Sequence, residues 1–291
     1  MLVNAANLIL PLKQLTEKCY VAMFKFCASL IAAPKLPATT LANSCYVYMF
    51  ASCTSLVNPP ALPATNLTES CYLYMFENCT SLKVAPTLPA TTLAQNCYIY
   101  MFTHCISLKT APKLPATTLT SNCYVGMFNG CTSLTTAPAL PATTLAYSCY
   151  SSMFSGCTSL ITAPALPATT LTNNCYSSMF NGCSSLKTSP NILPAMALVA
   201  YCYSSMFQGC TSLTTAPVLP ATTLANYGYS GMFNGCTSLK EITCLLENFD
   251  YTTNSMLNNW ASGISNVGIL KKKESSNFGT VIPEGWTTVN V

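Results

Sequence analysis

Eighteen cysteines and one histidine are where chemistry would first be sought in these 291 residues. The cysteines run as Cys19/Cys27, Cys45/Cys53, Cys71/Cys79, Cys97/Cys105, Cys123/Cys131, Cys149/Cys157, Cys175/Cys183 and Cys202/Cys210, with Cys236 and Cys244 over. Structural zinc sites use close-set pairs such as C-x2-C, often completed by histidine. The C-x7-C spacing with only His104 fits neither, so no metal and no cofactor is expected. A nucleophilic thiol needs a basic activator, and one histidine cannot serve eighteen of them. General acid–base work needs positioned carboxylates or imidazoles, yet no acidic residue occurs between Glu77 and Glu241. His104 fills a slot held elsewhere by Gly, Ser or Asn and reads as a solvated turn residue. The sequence therefore predicts no enzyme. For the cysteines two readings stay open: disulfides, which an exported protein permits, or columns of buried thiols acting as small hydrophobes. Gly228 stands where the ninth unit's first cysteine should be while Cys236 is kept, which counts against an obligatory bridge in each unit.

Tyrosines repeat as well, at Tyr20, Tyr46, Tyr72, Tyr98, Tyr124, Tyr150, Tyr176, Tyr203 and Tyr229. They read either as a sugar-stacking platform or as packing beside an apolar face. Tyr48, Tyr74 and Tyr100 occur only in early units and are the candidate ligand-binding residues.

What must position all of these is a repeat. Met-Phe pairs recur from Met23 to Met232 in steps of 26 residues, except the 27-residue step from Met179 to Met206. A fixed period of this length signals a stacked array in which each unit packs only on its neighbours. Nine units are expected over residues 10–244, with residues 1–9 a remnant of a preceding unit and residues 245–291 a C-terminal cap. The first unit opens at Leu10-Pro11, and the extra residue near Asn191-Ile192 should bulge a loop without breaking the stack.

The sixth unit, from Leu140, illustrates the expected anatomy. Thr143 or Thr144 is a good N-cap after Pro141, and Leu145, Cys149 and Met153 follow at the spacing of one helical face. The spacing predicts a helix of about ten residues, partly 3₁₀, closed by Gly156 in a left-handed C-cap. Ser159–Ala163, stopped by Pro164, predicts one short strand per unit in a parallel sheet. The Phe of each Met-Phe pair and the Leu of each Ser-Leu pair are the expected inner core, with Thr, Ser and Asn on the exposed rungs. Past Cys244, Met256-Leu257 is read as the degenerate Met-Phe position, Val267–Lys272 and Trp286–Val291 as strands, Pro283-Glu284-Gly285 as a turn, and Lys271–Lys273 as a wet strand edge.

The phrase Leu-Pro-x-x-x-Leu…Met-Phe-x-Gly-Cys-x-Ser-Leu resembles the BspA-like leucine-rich repeats of bacterial cell-surface proteins, over about Leu10–Leu239. Met stands where that family usually has Ala, and the earlier cysteine of each unit is additional. The resemblance implies a right-handed β/α solenoid, export to the cell surface or extracellular space, and adhesion or recognition of a protein or glycan on a host or neighbouring cell. It supplies no catalytic residues.

Bulk composition narrows the function classes. Half of the chain is hydrophobic (51%) and only 7% is charged, with a net charge of +4 and every basic residue a lysine. No basic stripe runs through the repeats, so nucleic acid is not an expected partner. Thr, Ser, Asn or Pro breaks each apolar run short of the roughly 20 residues a membrane span needs. Residues 1–13 lack the features of a signal peptide, so an export signal is expected to lie outside this segment. A monomer is expected. Two alternatives stand beside binding: a structural spacer or stalk presenting another domain, and ice or mineral binding through Thr rungs such as Thr135-Thr136 and Thr214-Thr215. Lys83, Lys109, Lys187 and Lys240 interrupt those rungs.

Overall fold

A computed structural model describes residues 2–8, 10, 14–249, 251 and 255–291, with the side chain of Ser255 left out. Pro11, where the first unit was expected to open, lies outside the described residues. Each unit forms one coil, and successive coils stack. Like side chains lie over like side chains. The buried Phe column from Phe24 to Phe233 has ring centroids 5.5–5.9 Å apart. The buried Tyr column from Tyr20 to Tyr229 has centroids 5.7–6.0 Å apart. Leu30 to Leu239 complete the inner core, and Thr135, Thr136, Thr214 and Thr215 are exposed as expected. The tyrosine column is therefore packing.

The expected helix is replaced by a ribbon of turns. In the sixth unit every second N–H bonds back three residues: Cys149 to Ala146, Ser151 to Ser148, Met153 to Tyr150, Ser155 to Ser152 and Cys157 to Phe154. The intervening N–H groups donate to the next coil: Tyr150 to Cys175, Ser152 to Ser177, Phe154 to Met179 and Gly156 to Asn181. Every fourth residue is left-handed, with φ of 50° at Ser148, 54° at Ser152 and 72° at Gly156. The physical reason is spacing. Packed helices need axes about 8–10 Å apart, whereas these coils repeat at no more than 6.0 Å in the aromatic columns. A helix would also bond all its N–H groups internally, while the ribbon spends half of them joining coils. A four-residue period still turns Cys149 and Met153 inward, as a helix would.

The expected strands shrink to single parallel bridges. Thr136, Thr162 and Thr188 form one such ladder, and Thr118, Thr144 and Thr170 another. Proline limits the first ladder, because Pro164 and its counterparts carry no N–H to extend it. After the ninth Ser-Leu pair, Thr243 and Leu246 stand at the two proline positions. There a true strand forms, β1 (Glu241–Cys244), followed by β2 (Gly268–Lys272) and β3 (Trp286–Asn290) in a parallel sheet of order β1-β2-β3. Thr215 bridges to Glu241, so the sheet continues the coil ladder. The extra residue near Asn191 is absorbed by an added bridge, Ile192 to Val218, and the stack is not interrupted.

Two expectations beyond Cys244 change. The Met-Phe position of the next coil is Trp260-Ala261: Phe233 N–H donates to the Trp260 carbonyl (2.6 Å), as Phe207 N–H donates to that of Met232 (2.9 Å). Met256 lies four residues too early, because this coil is longer than its predecessors. The lysine run is also less wet than expected. Lys271 sits on the central strand and pairs with Glu241 at 2.7 Å, while Lys272 Nζ donates to the carbonyls of Lys273 and Ser276. Trp260 packs on Phe278 and Phe233, and its indole N–H donates to the Val281 carbonyl at 2.9 Å.

Candidate interaction surface

The left-handed residues of the ribbon line up in three columns, four residues apart in each coil. One column runs Ala22, Tyr48, Tyr74, Tyr100, Gly126, Ser152, Ser178, Ser205, Gly231, all at positive φ. The next holds Phe26, Ser52, Asn78, His104 and then glycines from Gly130 to Gly263. Left-handed backbone costs a Cβ-bearing residue of order 1 kcal/mol, so non-glycine residues here are held by the inter-coil bonds. The Ala22–Gly231 column changes from tyrosine in the early units to glycine and serine in the later ones.

The structure brings Tyr48, Tyr74 and Tyr100 together. Their rings stack at 4.8 and 5.1 Å between centroids and are tilted by only 9° and 13°. Lys25 Nζ lies 4.2 Å from the Tyr48 centroid and 5.0 Å from that of Phe26, a cation–π cap on the stack. At the other end the Tyr100 ring occupies the space that a Cβ on Gly126 would need. Both outer ring faces are thus covered, and the inner faces cover one another. The half-buried column presents ring edges outward. Burial pushes the Tyr74 phenol up to about 12, helped by its two stacked neighbours and by Glu77; burial and Glu77 also raise Tyr48. At neutral pH both phenols are protonated hydrogen-bond donors.

A second stack escaped the sequence reading. Tyr201 and Tyr227 pack at 4.8 Å and 12°, 41% and 44% exposed, on the remaining left-handed column, which begins at Lys18 and Ser44 and lies four residues before that of Tyr48. Their 26-residue separation was a readable signal, but they precede the cysteine position and so fell outside the Tyr20–Tyr229 register. His104 is exposed, with φ of 57° and its ring over Gly130, which agrees with a turn residue.

The cysteines are unpaired thiols, and all but Cys19 and Cys27 are buried. From Cys53 to Cys236 the second cysteine of each Cys-x7-Cys position donates its S–H to the carbonyl of the phenylalanine one coil earlier, for example Cys53 to Phe24 (3.0 Å) and Cys157 to Phe128 (3.1 Å). Burial pushes Cys45, Cys53 and Cys202 up to about 12. This is the reverse of an activated nucleophile, which needs its thiolate. Among the described residues no group of three or more His, Cys, Asp or Glu is placed to hold a metal, and no helix is long and apolar enough to cross a membrane.

Residues 44–187, 98–229 and 175–278 match the BspA type leucine rich repeat region, a description that spans six copies. No curated protein matches the chain. Among solved structures, the chain is similar to a leucine-rich repeat protein from Bacteroides ovatus ATCC 8483, at 17% identity and a TM-score of 0.48, covering 93% of this chain and 77% of that one. It is also similar to a leucine rich cell surface protein from Faecalibacterium prausnitzii A2-165, at 16% identity and a TM-score of 0.36, covering 87% and 75%.

Proposed function

Because this chain belongs to the BspA-type leucine-rich repeat family, we propose that it is a non-enzymatic interaction protein of the bacterial cell surface or extracellular space. It recognises a protein on a host or neighbouring cell through its left-handed columns, with Tyr48, Tyr74 and Tyr100 at the centre of the contact. The observation that carries this reading is the stack itself. A sugar ring packs on an aromatic face, and every face in the stack is taken by Lys25, by a neighbouring tyrosine or by Gly126. Edges and phenolic hydroxyls remain, and these suit a protein partner, where tyrosine supplies apolar area and a hydrogen-bonding tip together. In this reading the solenoid winds right-handed, the chain acts as a monomer, residues 10–244 are the nine-unit array, residues 1–9 the remnant of a further unit, and residues 245–291 a cap over its last apolar face.

The test is binding of the purified protein to panels of immobilised extracellular proteins and of glycans. The comparison variant is the triple Tyr48→Ser, Tyr74→Ser, Tyr100→Ser; Ser152, Ser178 and Ser205 show that the column tolerates serine. Binding to a protein, weakened at least about tenfold (1.4 kcal/mol) in the triple variant, is expected. Binding confined to glycans would remove the protein reading. Silence on both panels would leave the spacer or stalk, which the near-uniform later units also suit.

A further inference from the structure

The proline-bearing turns make a surface of a different kind. Three successive turns, residues 84–89, 110–115 and 138–141, leave two adjoining grooves of about 590 and 410 Å³ that share Ala111, Pro112, Lys113 and Pro115. Both fall in the size range of small-molecule sites, roughly 300–1,000 Å³. Their walls are mostly Pro, Ala and Leu. Val84, 64% exposed, adds to the wall at a rung where the following units carry Thr110, Thr136 and Thr162.

Charge gathers at the same place. Lys113 is exposed on the lining of both grooves, at a position filled by Thr87 one coil before and Ala139 one coil after. Lys83 and Lys109 directly precede Val84 and Thr110. No acidic residue occurs between Glu77 and Glu241, and Glu77 lies near Tyr48 and Tyr74 and is not among the residues lining either groove. The two ion pairs among the described residues, Lys18–Glu17 and Lys271–Glu241, lie elsewhere. An apolar trough thus carries a cation that the surrounding chain does not neutralise.

We propose that this groove binds a free long-chain carboxylate, with its alkyl chain along the proline turns and its carboxylate on Lys113. An alkyl chain fits better than an extended peptide, because a peptide needs N–H donors for its carbonyls and the prolines of the lining have none. A nucleic acid would need cations on the lining throughout, and Lys113 is the one charged residue that lines either groove, on a floor of Pro, Ala and Leu. This inference is independent of the protein-binding reading of the tyrosine stack.

The experiment is displacement of cis-parinaric acid fluorescence by laurate below its micelle concentration, with calorimetry of laurate and of lauryl alcohol. The expected result is saturable binding, with laurate at least about tenfold tighter than the alcohol. Lys113→Gln should weaken laurate about tenfold and Lys113→Glu more. Val84→Thr, which restores the residue of the next coil, should weaken both ligands severalfold. Lys187→Gln, outside the groove lining, should change nothing. Far-ultraviolet dichroism and Tm verify that each variant folds. Equal affinity for acid and alcohol, indifference to Lys113→Glu, absence of saturable binding, or binding only to phosphatidylglycerol vesicles would each overturn the proposal.

Discussion

The thiol of Cys157 donates to the carbonyl of Phe128, 3.1 Å away and one coil earlier, and the same carbonyl accepts the Cys131 N–H at 3.0 Å. The pairing repeats from Cys53–Phe24 to Cys236–Phe207. Cysteine here fills a small apolar gap and joins two coils, which neither alanine nor valine does.

Cys157→Ala should therefore cost about 1–2 kcal/mol, from a small cavity plus a lost inter-coil bond. Cys157→Val, overfilled and without a donor, should cost more. Denaturant titration measures both. A cost for Ala no larger than that of an exposed control such as Thr136→Ala would show that the thiol bond contributes nothing.

Alkylation of the native protein without reductant should label Cys19 and Cys27 first, since only these are partly exposed. The other sixteen should label only after unfolding, giving eighteen in all. Intact mass reads the number directly, and unfolded protein that refuses label would reveal disulfides in place of free thiols.

Alkali should unfold the protein abruptly. Cys45, Cys53 and Cys202 titrate near 12 when folded against an ordinary 9.0, and the buried tyrosines are raised likewise. The folded pKa exceeds the unfolded one, so stability is full below pH 9 and falls as pH rises toward 12. At pH 10 each such thiol removes on the order of 1.4 kcal/mol. Several together exceed the stability of a typical domain, roughly 5–15 kcal/mol. Dichroism against pH should be flat from pH 6 to about 8 and collapse near pH 10–11; a folded protein at pH 12 would contradict it.

Thr243→Pro restores the proline found at this place in earlier units and should undo β1. The Thr243 carbonyl accepts the Leu219 N–H of the previous coil at 2.9 Å, and a proline ring fixed inside β1 at this contact is expected to cost about 1–3 kcal/mol. Hydrogen exchange should show the loss at β2 and β3, with the inner coils unchanged.

Gly156 has φ of 72°, but an added Cβ would meet only ordinary contacts, 3.5 Å from Gly130. Gly156→Asn should therefore change stability by less than about 1 kcal/mol, as Asn78 already occupies this column. Gly156→Val, β-branched in a left-handed site, should cost clearly more. Thermal unfolding separates the two, and equal losses would mean that backbone conformation is not the deciding factor.

How far the sequence reached can be judged on single residues. The stacking of Phe128 on Phe154 and the left-handed backbone at Gly156 were legible, because a fixed period puts every residue on its counterpart and glycine marks the positive φ. The helix was misread because Leu145, Cys149 and Met153 satisfy a period of 4.0 as well as one of 3.6; three points do not separate them. Trp260 was missed as the tenth-coil counterpart of Met232 because the longer coil hides the register, which only the Phe233 bond exposes. Tyr48, Tyr74 and Tyr100 could be picked out as an irregularity, but not as a closed stack. That depended on Lys25 and Gly126, three residues after one column member and one coil beyond another.

By itself, then, the sequence determined the repeat, its register, its inner columns and its shortage of charge, since all of these follow from periodicity and composition. The tertiary structure decided what the backbone does within each period. The coils repeat at no more than 6.0 Å in the aromatic columns, and that distance admits a ribbon sharing its hydrogen bonds between coils, not a helix keeping them to itself. The same closeness covered the tyrosine faces and left the proline turns open around Lys113.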